Sequence, residues 1–555
     1  MTDRITLDLP PIDPAAAMTL GGFLVESAGQ FAPREAIAFD DPMRDGARVS
    51  WSYAGLLGEA RAVAKALIAA GSGKGMRVGI LLGNRPEFVA ALFGTALAGG
   101  VAVTLSTFST RDELDTLLRL SDVDILLTQR AIARRVLTDD LAQLLPTADG
   151  GAVAEDRYPY LRRVVVLGGD TPFAPWQDFI AAGTMVPDAT LDARAARVSG
   201  NDPAIIIYTS GTTSQPKGVI HLHSTVVKQF HWQAAIYGRH LETRIGSPFP
   251  LFWSAGIVSV LGSTLAAGGA YVGDEVFEPG AALKLIARER IDEYYGFPTH
   301  TAALADHPDW LAADLSSMTR ITGNNEFDGH PNASPDPNWN HIVAYGMSES
   351  CTSIVSHLST TPTAIQRQSA GRPLPGIELR IADFETGATL EAGREGEICV
   401  RGPTLMPHYA GMRHEDSFDD ENFFHSGDTG FVDADGYLHW TGRIKNMVKT
   451  GGANVASGEV EAVAAALGTL KLCRVVGMPD RRLGEMVVLC AVREEGSSTT
   501  EEEVRAAMRE KLAAYKVPRR VLFFGIDDYP LTASGKVKDK ELREMAAAMM
   551  EPAEA

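Results

Sequence analysis

The sequence predicts an α/β protein with a large N-terminal part and a small C-terminal α+β domain. Segments with helical spacing alternate with short apolar strands through the first half of the chain, which is typical of a mainly parallel sheet covered by helices. Charge divides the chain near Arg443, since 18 Lys+Arg and 17 Asp+Glu lie from there onward and 33 and 53 lie before it. We therefore predict two domains, over residues 1–443 and 444–555.

The first predicted elements are a helix over Tyr53–Ala70 and a strand over Arg77–Leu82. The apolar stretch Phe88–Leu105 follows, and Gly99-Gly100 interrupts it. Because a membrane helix needs roughly twenty apolar residues, we interpret this stretch as a buried helix followed by a buried strand.

Later segments complete the predicted fold. Phe327–Asn340 is rich in Pro, Asn and Asp and is expected to be a surface loop. The C-terminal domain has its own pattern of helix, strand, strand, helix and strand, predicted at Glu459–Leu467, Cys473–Gly477, Met486–Val492, Glu501–Tyr515 and Arg520–Phe524.

The composition excludes several classes of protein. Charged residues at 22% and hydrophobic residues at 45% are typical of a globular protein, and a formal net charge of −19 argues against a nucleic-acid partner. Four scattered cysteines form no CxxC pair, which disfavours a disulfide framework and structural zinc. Acidic residues and prolines near the start disfavour a signal peptide. We expect a cytoplasmic protein without an integral membrane segment. The sequence does not decide between a monomer and a homodimer.

The strongest local signal is the loop Thr209–Gly218, which directly follows the apolar strand Ala204–Tyr208. It contains five hydroxyl side chains, two glycines and a lysine, and such a loop can approach a polyphosphate closely. It lacks the GxxxxGK[ST] spacing of a Walker A loop. Composition alone would favour an ordinary polar turn.

Further motifs follow in a fixed order along the chain. They are Tyr345–Glu349 (YGMSE), Gly371–Gly376 (GRPLPG), Ser426–Asp428 (SGD), Gly442–Lys445 (GRIK) and Leu531–Lys536 (LTASGK). Together with the Thr209–Gly218 loop they resemble the adenylate-forming superfamily of acyl-CoA synthetases, aryl-CoA ligases, peptide-synthetase adenylation domains and beetle luciferases. The resemblance extends from about Leu20 to Leu542.

The resemblance implies an ATP-dependent acyl-CoA synthetase. A carboxylate would attack the α-phosphate of ATP to form an acyl-adenylate and pyrophosphate, and the thiol of CoA would then displace AMP. ATP and CoA are the implied co-substrates and Mg²⁺ the implied cofactor. Both steps concentrate negative charge, so the site needs cations and preorganised donors. The resemblance also implies layered sheets and helices in the N-terminal domain and a mobile C-terminal domain with its hinge at Lys445.

Site residues are assigned by the same resemblance. Lys536 would contact the carboxylate and ATP during adenylation, Lys449 would be a second catalytic lysine, and the carboxylate of Glu349 would hold Mg²⁺. Taken alone, each could be a solvated surface group. The implied nucleotide- and CoA-binding residues are Thr209, Ser210, Gly211, Thr212, Thr213, Lys217, Gly323, Tyr345, Gly346, Met347, Ser348, Asp428, Arg443, Gly451 and Gly452.

The acyl pocket is assigned to Trp253, Gly256 and Asn324. Trp253 takes the position of the family's aromatic gate, with simple core packing as the alternative interpretation. Gly323-Asn324-Asn325 stands where most relatives carry Gly-Gly-Ala, which places polar amides near the substrate. These features suggest a cyclic, aromatic or steroid-side-chain acid, with a medium-chain fatty acid as alternative.

The same residues allow three other hypotheses. An acyl-AMP ligase that loads a carrier protein would differ in its acceptor. A catalytically inactive nucleotide-binding homologue is disfavoured by the intact Lys536, Glu349 and Asp428. A metal site formed by histidines 221, 223 and 231 is disfavoured, since the family uses one nearby histidine structurally.

Overall fold

The protein is described by a computed structural model over residues 6–169, 171–209, 216–322, 327, 329–340, 342–444, 447–450, 453–480, 483–512, 516–532 and 536–550. The chain divides into two compact units. The N-terminal unit comprises residues 1–377 and 402–420, and the C-terminal unit comprises 378–401 and 421–555. This confirms the predicted α/β class with a large N-terminal and a small C-terminal part. The predicted domain boundary after residue 443 remains a prediction.

The helices alternate with strands along the described parts of the chain. They are α1 (Leu20–Phe31), α2 (Tyr53–Ala69), α3 (Pro86–Leu97), α4 (Arg111–Ser121), α5 (Leu137–Leu144), α6 (Trp176–Gly183), α7 (Asp188–Ala195), α8 (His223–Tyr237), α9 (Ser263–Ala266), α10 (Pro279–Glu289), α11 (Pro298–Ala305), α12 (Thr363–Gln366), α13 (Ser457–Ala465), α14 (Glu501–Arg509) and α15 (Asp539–Met550).

The strands are β1 (Glu35–Asp41), β2 (Ala47–Ser52), β3 (Arg77–Leu81), β4 (Val101–Thr104), β5 (Ile125–Gln129), β6 (Ala131–Ile132), β7 (Arg135–Val136), β8 (Arg163–Leu167), β9 (Ala174–Pro175), β10 (Pro203–Thr209), β11 (Lys217–Leu222), β12 (Arg244–Gly246), β13 (Ala270–Gly273), β14 (Glu293–Tyr295), β15 (Arg320–Thr322), β16 (Ala344–Met347), β17 (Thr352–Ser356), β18 (Arg372–Pro373), β19 (Glu378–Ala382), β20 (Gly396–Arg401), β21 (Phe424–Val432), β22 (Leu438–Arg443), β23 (Met447–Thr450), β24 (Ala453–Ala456), β25 (Leu470–Asp480), β26 (Gly484–Arg493) and β27 (Arg520–Phe523).

A seven-stranded sheet organises the first half of the N-terminal unit, in the order β11-β10-β4-β3-β5-β8-β9. Its neighbouring strands run parallel, except that β10 and β11 are antiparallel. Both faces are buried, as β10 shows: Ile205 and Ile207 belong to one apolar cluster and Ile206 to another. Successive side chains of a strand point to opposite faces. The predicted mainly parallel sheet with helices on both sides is confirmed.

A six-stranded sheet is the second layer, in the order β15-β14-β12-β13-β1-β2. It is parallel apart from the antiparallel pair of β1 and β2. A three-stranded sheet, β16-β17-β18, completes the larger sheets of this unit.

The predicted helix and strand within Phe88–Leu105 are confirmed as α3 and β4. The turn between them passes through Gly99, whose φ of +81° is readily adopted only by glycine. Of the helices in the described ranges, none combines the length and apolarity that a membrane crossing requires.

The predicted surface loop over Phe327–Asn340 needs a correction. Phe327 is fully buried, with its ring centroid 5.0 Å from that of Trp310, and His330 is 4% exposed. The Nε2 atom of His330 lies 2.8 Å from the carbonyl oxygen of Trp310. Pro, Asn and Asp indicate an irregular backbone but not exposure, and here two rings anchor the start of the loop in the core.

The C-terminal unit contains two sheets. One is the antiparallel sheet β19-β20-β21-β22, and the other is β24-β23-β26-β25 with β27 parallel to β26. The predicted helices and strands are present, but α14 ends at Arg509 rather than at Tyr515. Leu512 beyond it still packs in the apolar core, so the helical apolar pattern extends past the helix itself.

Candidate functional site

The predicted phosphate loop begins and ends on a β-hairpin of the N-terminal unit. Thr209 and Lys217 face each other across β10 and β11, and the hydroxyl of Thr209 donates to the Lys217 carbonyl oxygen at 3.5 Å. Several predicted site residues lie outside the described residues, namely Ser210, Gly211, Thr212, Thr213, Gly323, Asn324, Gly451 and Gly452.

A tyrosine that sequence reasoning missed lies beside this hairpin. Tyr409 forms a β-bridge with Val219, and the next residue, Ala410, donates its backbone N–H to the Gly218 carbonyl oxygen at 2.7 Å. The ammonium nitrogen of Lys217 is 4.8 Å from the centroid of the Tyr409 ring, which is a cation–π contact. The Pro-His-Tyr sequence around residue 409 carries no pattern that would have marked it.

Tyr409 also connects the hairpin to Glu349. Its hydroxyl donates to the Glu349 Oε1 atom at 2.7 Å, and the Met406 N–H donates to the Glu349 carbonyl oxygen at 2.8 Å. Burial raises the pKa of Tyr409, and the nearby Glu349 carboxylate raises it further. The phenol therefore stays protonated and serves as a fixed hydrogen-bond donor. Lys217 and Glu349, 132 positions apart in the sequence, thus share one partner.

Glu349 lies in a short turn that follows β16. At Gly346 an added Cβ would come within 2.0 Å of the Thr352 carbonyl oxygen, so this position requires glycine. The hydroxyl of Ser350 accepts from the Met347 N–H at 3.0 Å. Ser348 begins the turn, and Tyr345, two residues before Met347, is 7% exposed. The predicted YGMSE motif is therefore a rigid turn.

Glu349 fits the magnesium role that the sequence assigned to it. Mg²⁺ prefers carboxylate oxygen ligands. An ionised carboxylate offers about four lone-pair positions, and the Tyr409 hydroxyl uses one of them.

Trp253 belongs to a group of rings that we call the aromatic wall. The wall comprises Phe108, Phe249, Phe252, Trp253 and Phe297. The Trp253 ring centroid lies 5.8 Å from that of Phe252, 6.2 Å from that of Phe108 and 6.5 Å from that of Phe297. Phe108 and Phe297 are 61% and 40% exposed, and Trp253 is half-buried. The wall therefore presents aromatic surface to solvent on one side and packs on the core on the other.

Two polar side chains position the aromatic wall. Asn84, just after β3, accepts from the Leu251 N–H at 2.7 Å and donates to the Phe249 carbonyl oxygen at 2.9 Å. Thr104, the last residue of β4, donates to the Phe252 carbonyl oxygen at 3.0 Å. Because Thr104 pairs with Ile207 of β10, the wall lies at the same carboxyl edge of the sheet from which the phosphate loop departs. Ligands of open α/β sheets bind at this edge.

Gly256 has a packing role in the structure. An added Cβ there would lie 2.1 Å from the Pro250 carbonyl oxygen. Only glycine therefore lets the backbone fold back directly behind Trp253. Its predicted contact with substrate remains a prediction.

In the C-terminal unit, Asp428 and Arg443, which the resemblance assigns to nucleotide binding, form an ion pair with each other. They face each other across β21 and β22, with 2.9 Å between Arg443 Nε and Asp428 Oδ1. The Asp428 side chain is 5% exposed and that of Arg443 is 54% exposed. The Ser426 hydroxyl accepts from the Asp428 N–H at 3.0 Å, which orients the aspartate.

The two predicted catalytic lysines lie in different parts of the C-terminal unit. Lys536 is exposed, its N–H donates to the Thr532 hydroxyl at 3.0 Å, and its carbonyl oxygen accepts from the Thr532 N–H at 2.7 Å. Lys449 lies on β23, paired with Asn454 of β24. The predicted hinge residue Lys445 lies outside the described residues.

Two of the three histidines that sequence analysis considered for a metal site are buried in the core. His221 is fully buried, and among the described residues neither of its ring nitrogens has a hydrogen-bond partner. His223 is buried and accepts from the Leu20 N–H through Nδ1 at 3.2 Å. Burial lowers the pKa of His221 to about 3 and that of His223 to about 4. Both are neutral core residues at pH 7.

These buried histidines make the folded state sensitive to acid. The unfolded chain binds a proton at His221 below pH 6.5, whereas the folded chain does so only near pH 3, so stability is lost as the pH falls between these values. We expect His221→Leu to reduce the loss of unfolding free energy by up to about 1.4 kcal/mol per pH unit over this range. Urea unfolding at pH 7, 6, 5 and 4 measures the slope. Ile205→Val, at the strand partner of His221, should change stability without changing the slope. Equal slopes for His221→Leu and the parent would contradict the assignment.

Comparison with known proteins finds a matching family, named relatives and similar solved structures. A family described as AMP-binding enzyme matches residues 24–410, and the AMP-binding enzyme C-terminal domain matches residues 459–536. Feruloyl-CoA synthase from Amycolatopsis sp is 32% identical over 89% of this chain and 93% of its own. The medium-chain acyl-CoA ligase ACSF2, mitochondrial, from Bos taurus is 30% identical over 89% of this chain and 82% of its own. The structure of the anthranilate CoA ligase AuaEII in complex with anthranoyl-AMP has a TM-score of 0.77 and 25% identity, covering 96% of this chain and 98% of that chain.

Proposed function

The chain belongs to the AMP-binding enzyme family, and we propose that it joins a carboxylic acid with a cyclic or aromatic body to the thiol of CoA. Its relatives are named CoA synthases and ligases, so the chain is an ATP-dependent, AMP-forming acid–thiol ligase. The proposal that the substrate contains a ring is based on the aromatic wall around Trp253.

The proposed reaction has two steps, formation of an acyl-adenylate and transfer of the acyl group to CoA. A carboxylate oxygen of the acid bonds to the α-phosphorus of ATP, and the bond from that phosphorus to pyrophosphate breaks. The CoA sulfur then bonds to the acyl carbon, the bond from that carbon to AMP breaks, and the thiol proton is released. Negative charge accumulates around phosphorus in the first step, so fixed cations and donors lower the barrier.

In the N-terminal unit, we assign phosphate binding to the loop that starts at Thr209 and to Lys217. The Tyr409 ring restricts where the Lys217 ammonium group can lie, because the two are in cation–π contact. Glu349, held by the Tyr409 hydroxyl, would bind Mg²⁺, which supplies positive charge next to the phosphates when bound. Tyr345 would contact the adenine ring.

In the C-terminal unit, we assign the ribose hydroxyls to the Asp428 carboxylate and the phosphate or ribose to Arg443. Their mutual ion pair orients the buried carboxylate before nucleotide binds. Lys536 would supply the cation that reaches the attacking carboxylate, and its exposure leaves the ammonium group free to do so. Lys449 and the Gly451-Gly452 turn would serve the thiol step.

The aromatic wall supports a ring-bearing acid over a straight chain. Aromatic rings pack edge-to-face or offset against one another and gain energy beyond simple area burial. The exposed Phe108 and Phe297 would then cover the two sides of a flat substrate whose body rests near Trp253. A medium-chain fatty acid, the alternative, would gain only the apolar area.

A panel of acids tests the proposal. We would supply ATP, Mg²⁺ and CoA with cinnamic, benzoic and cyclohexanecarboxylic acids and with octanoic and decanoic acids, and measure pyrophosphate and thioester separately. A ring-bearing acid should exceed the straight chains at least tenfold in kcat/KM, about 1.4 kcal/mol. Preference for octanoic acid would overturn the ring-bearing substrate. Pyrophosphate without thioester would indicate a carrier-protein acceptor, and no pyrophosphate with any acid would indicate an inactive homologue.

Truncating the central ring of the wall should change the ranking of acids. We expect Trp253→Ala to lower kcat/KM for the preferred ring-bearing acid by about 10- to 100-fold, because even one methylene in an apolar pocket changes discrimination by about 1–3 kcal/mol. The KM for ATP should stay within about twofold.

Tyr160→Ala, which removes a 58% exposed ring outside the wall, is the matched control and should leave the ranking unchanged. If Trp253→Ala keeps the parent ranking but loses roughly 3–5 kcal/mol of stability, Trp253 is a core residue and not part of the pocket.

A further inference from the structure

We infer that Glu397, Cys399 and His425 of the C-terminal unit form a binding site for a thiolate-preferring divalent cation such as Zn²⁺. Cys399 on β20 faces His425 on β21 in the strand register, and Glu397 lies two residues before Cys399. Because side chains alternate along a strand with period two, the three share one face of the sheet. A thiol, an imidazole and a carboxylate are the ligand groups that Zn²⁺ uses in proteins.

The distances among the three side chains suit tetrahedral coordination. Cys399 Sγ lies 3.5 Å from His425 Nδ1, and His425 Nδ1 lies 2.8 Å from Glu397 Oε2. All three potential ligand atoms are within 4.8 Å of one another. With Zn–S of about 2.3 Å and Zn–N and Zn–O of about 2.0 Å, a tetrahedral site separates S from N by about 3.5 Å and N from O by about 3.3 Å. The histidine–glutamate contact would have to open by about half an ångström.

The cluster is accessible from the histidine side. The side chain of His425 is 41% exposed and that of Glu397 17% exposed, whereas Cys399 is fully buried. A cation would enter past the imidazole and keep a water molecule as its fourth ligand. On binding, the Cys399 thiol gives its proton to solvent as the S–metal bond forms, and His425 binds through a neutral ring with its proton on Nε2.

A cation on the neighbouring strand has partners outside the cluster. Arg380 on β19 pairs with Cys399 in the register. Its Nη1 atom donates to Glu421 Oε2 at 2.6 Å, and its Cζ atom lies 4.4 Å from the centroid of the Phe423 ring. The guanidinium group thus contacts an acidic and an aromatic partner outside the cluster.

Glu397 links this cluster to the proposed nucleotide site without belonging to it. Its Oε1 atom accepts from the Gly427 N–H at 3.1 Å, directly before Asp428. The Oε2 atom, which faces His425, is the one that would bind the cation. Metal binding can therefore be measured without turnover, and its failure is distinct from a failure of the proposed ligase reaction.

Cobalt(II) is the probe, since a thiolate ligand gives it a near-ultraviolet charge-transfer absorption. Full-length metal-free protein titrated with Co²⁺ should develop this absorption with one equivalent bound. Cys399→Ser should abolish the absorption, and His425→Ala should weaken Co²⁺ affinity at least tenfold, about 1.4 kcal/mol. Zn²⁺ should displace Co²⁺, in keeping with the usual order of divalent affinities.

Cys473→Ser is the matched control, since Cys473 is a half-buried thiol of the same unit whose Sγ contacts the Glu461 carbonyl oxygen instead. It should leave the absorption unchanged. Absence of the absorption in the parent, or its survival in Cys399→Ser, would overturn the proposal. If Cys399→Ser fails to fold, His425→Ala, at an exposed position, decides: parent-like affinity in that variant overturns the site.

Discussion

Replacing Lys536 by alanine is expected to lower the rate of acyl-adenylate formation by about 10²- to 10³-fold, or about 2.7–4 kcal/mol of transition-state stabilisation. The change removes a cation where we propose that negative charge develops between carboxylate and α-phosphate. Lys536 is exposed and its two described hydrogen bonds use backbone atoms. The folded structure should therefore tolerate alanine. Pyrophosphate release on mixing enzyme, acid and ATP measures this half-reaction.

The thiol step separates a chemical role from a structural one. When the acyl-adenylate is supplied together with CoA, Lys536→Ala should form thioester at close to the parent rate. Lys540→Ala is the matched control, because this lysine is 93% exposed and pairs with Glu544 on the same helix. Equal losses in both half-reactions, or a similar loss in Lys540→Ala, would show that Lys536 acts through folding.

Replacing Glu349 by glutamine is expected to lower adenylate formation by about 10²-fold, about 2.7 kcal/mol, and to raise the Mg²⁺ concentration needed for half-maximal rate. Glutamine keeps the shape of the side chain and an oxygen that can accept from Tyr409, while the charge that would attract the cation is lost. Initial rates of pyrophosphate release over a range of Mg²⁺ concentrations measure both effects.

Two further variants separate the metal role from the hydrogen bond. Tyr409→Phe keeps the ring beside Lys217 but removes the donor to Glu349, so it should lower the rate less and leave the Mg²⁺ requirement unchanged. Glu415→Gln, at a 64% exposed glutamate paired only with the exposed Arg413 in the described structure, should change neither. A parent-like Mg²⁺ requirement in Glu349→Gln would place the cation elsewhere.

Much of the fold follows from patterns that are local in the sequence. Short continuous apolar runs predicted β3, β4 and β10, because each lies in a sheet that is buried on both faces. Glycine at the end of α3 marked the turn into β4, since the backbone there has positive φ. Composition was a poor predictor of solvent exposure at Phe327. This residue is buried because it packs against Trp310, which lies 17 positions earlier in the sequence.

The resemblance assigned those site residues that lie within short sequence motifs. Glu349, Asp428 and Lys536 each lie within a short motif whose order along the chain identifies the family. The Asp428–Arg443 ion pair joins two such motifs across neighbouring strands. The assignments of Ser210–Thr213, Asn324 and Gly451-Gly452 rest on the sequence alone.

By itself, the sequence determined the class of fold, the family and the reaction type, because each of these can be predicted from short contiguous sequence patterns. Only the tertiary structure decided which side chains act together. Tyr409 joins Lys217 to Glu349, and Asn84 and Thr104 hold the aromatic wall at the carboxyl edge of the sheet. Tyr409 and Glu349 are 60 positions apart in the sequence, Asn84 and Phe249 are 165 apart, and Tyr409 and Lys217 are 192 apart. A single hydrogen bond or ring contact between distant residues leaves no periodicity in the sequence, so its partners become visible only when the chain has folded.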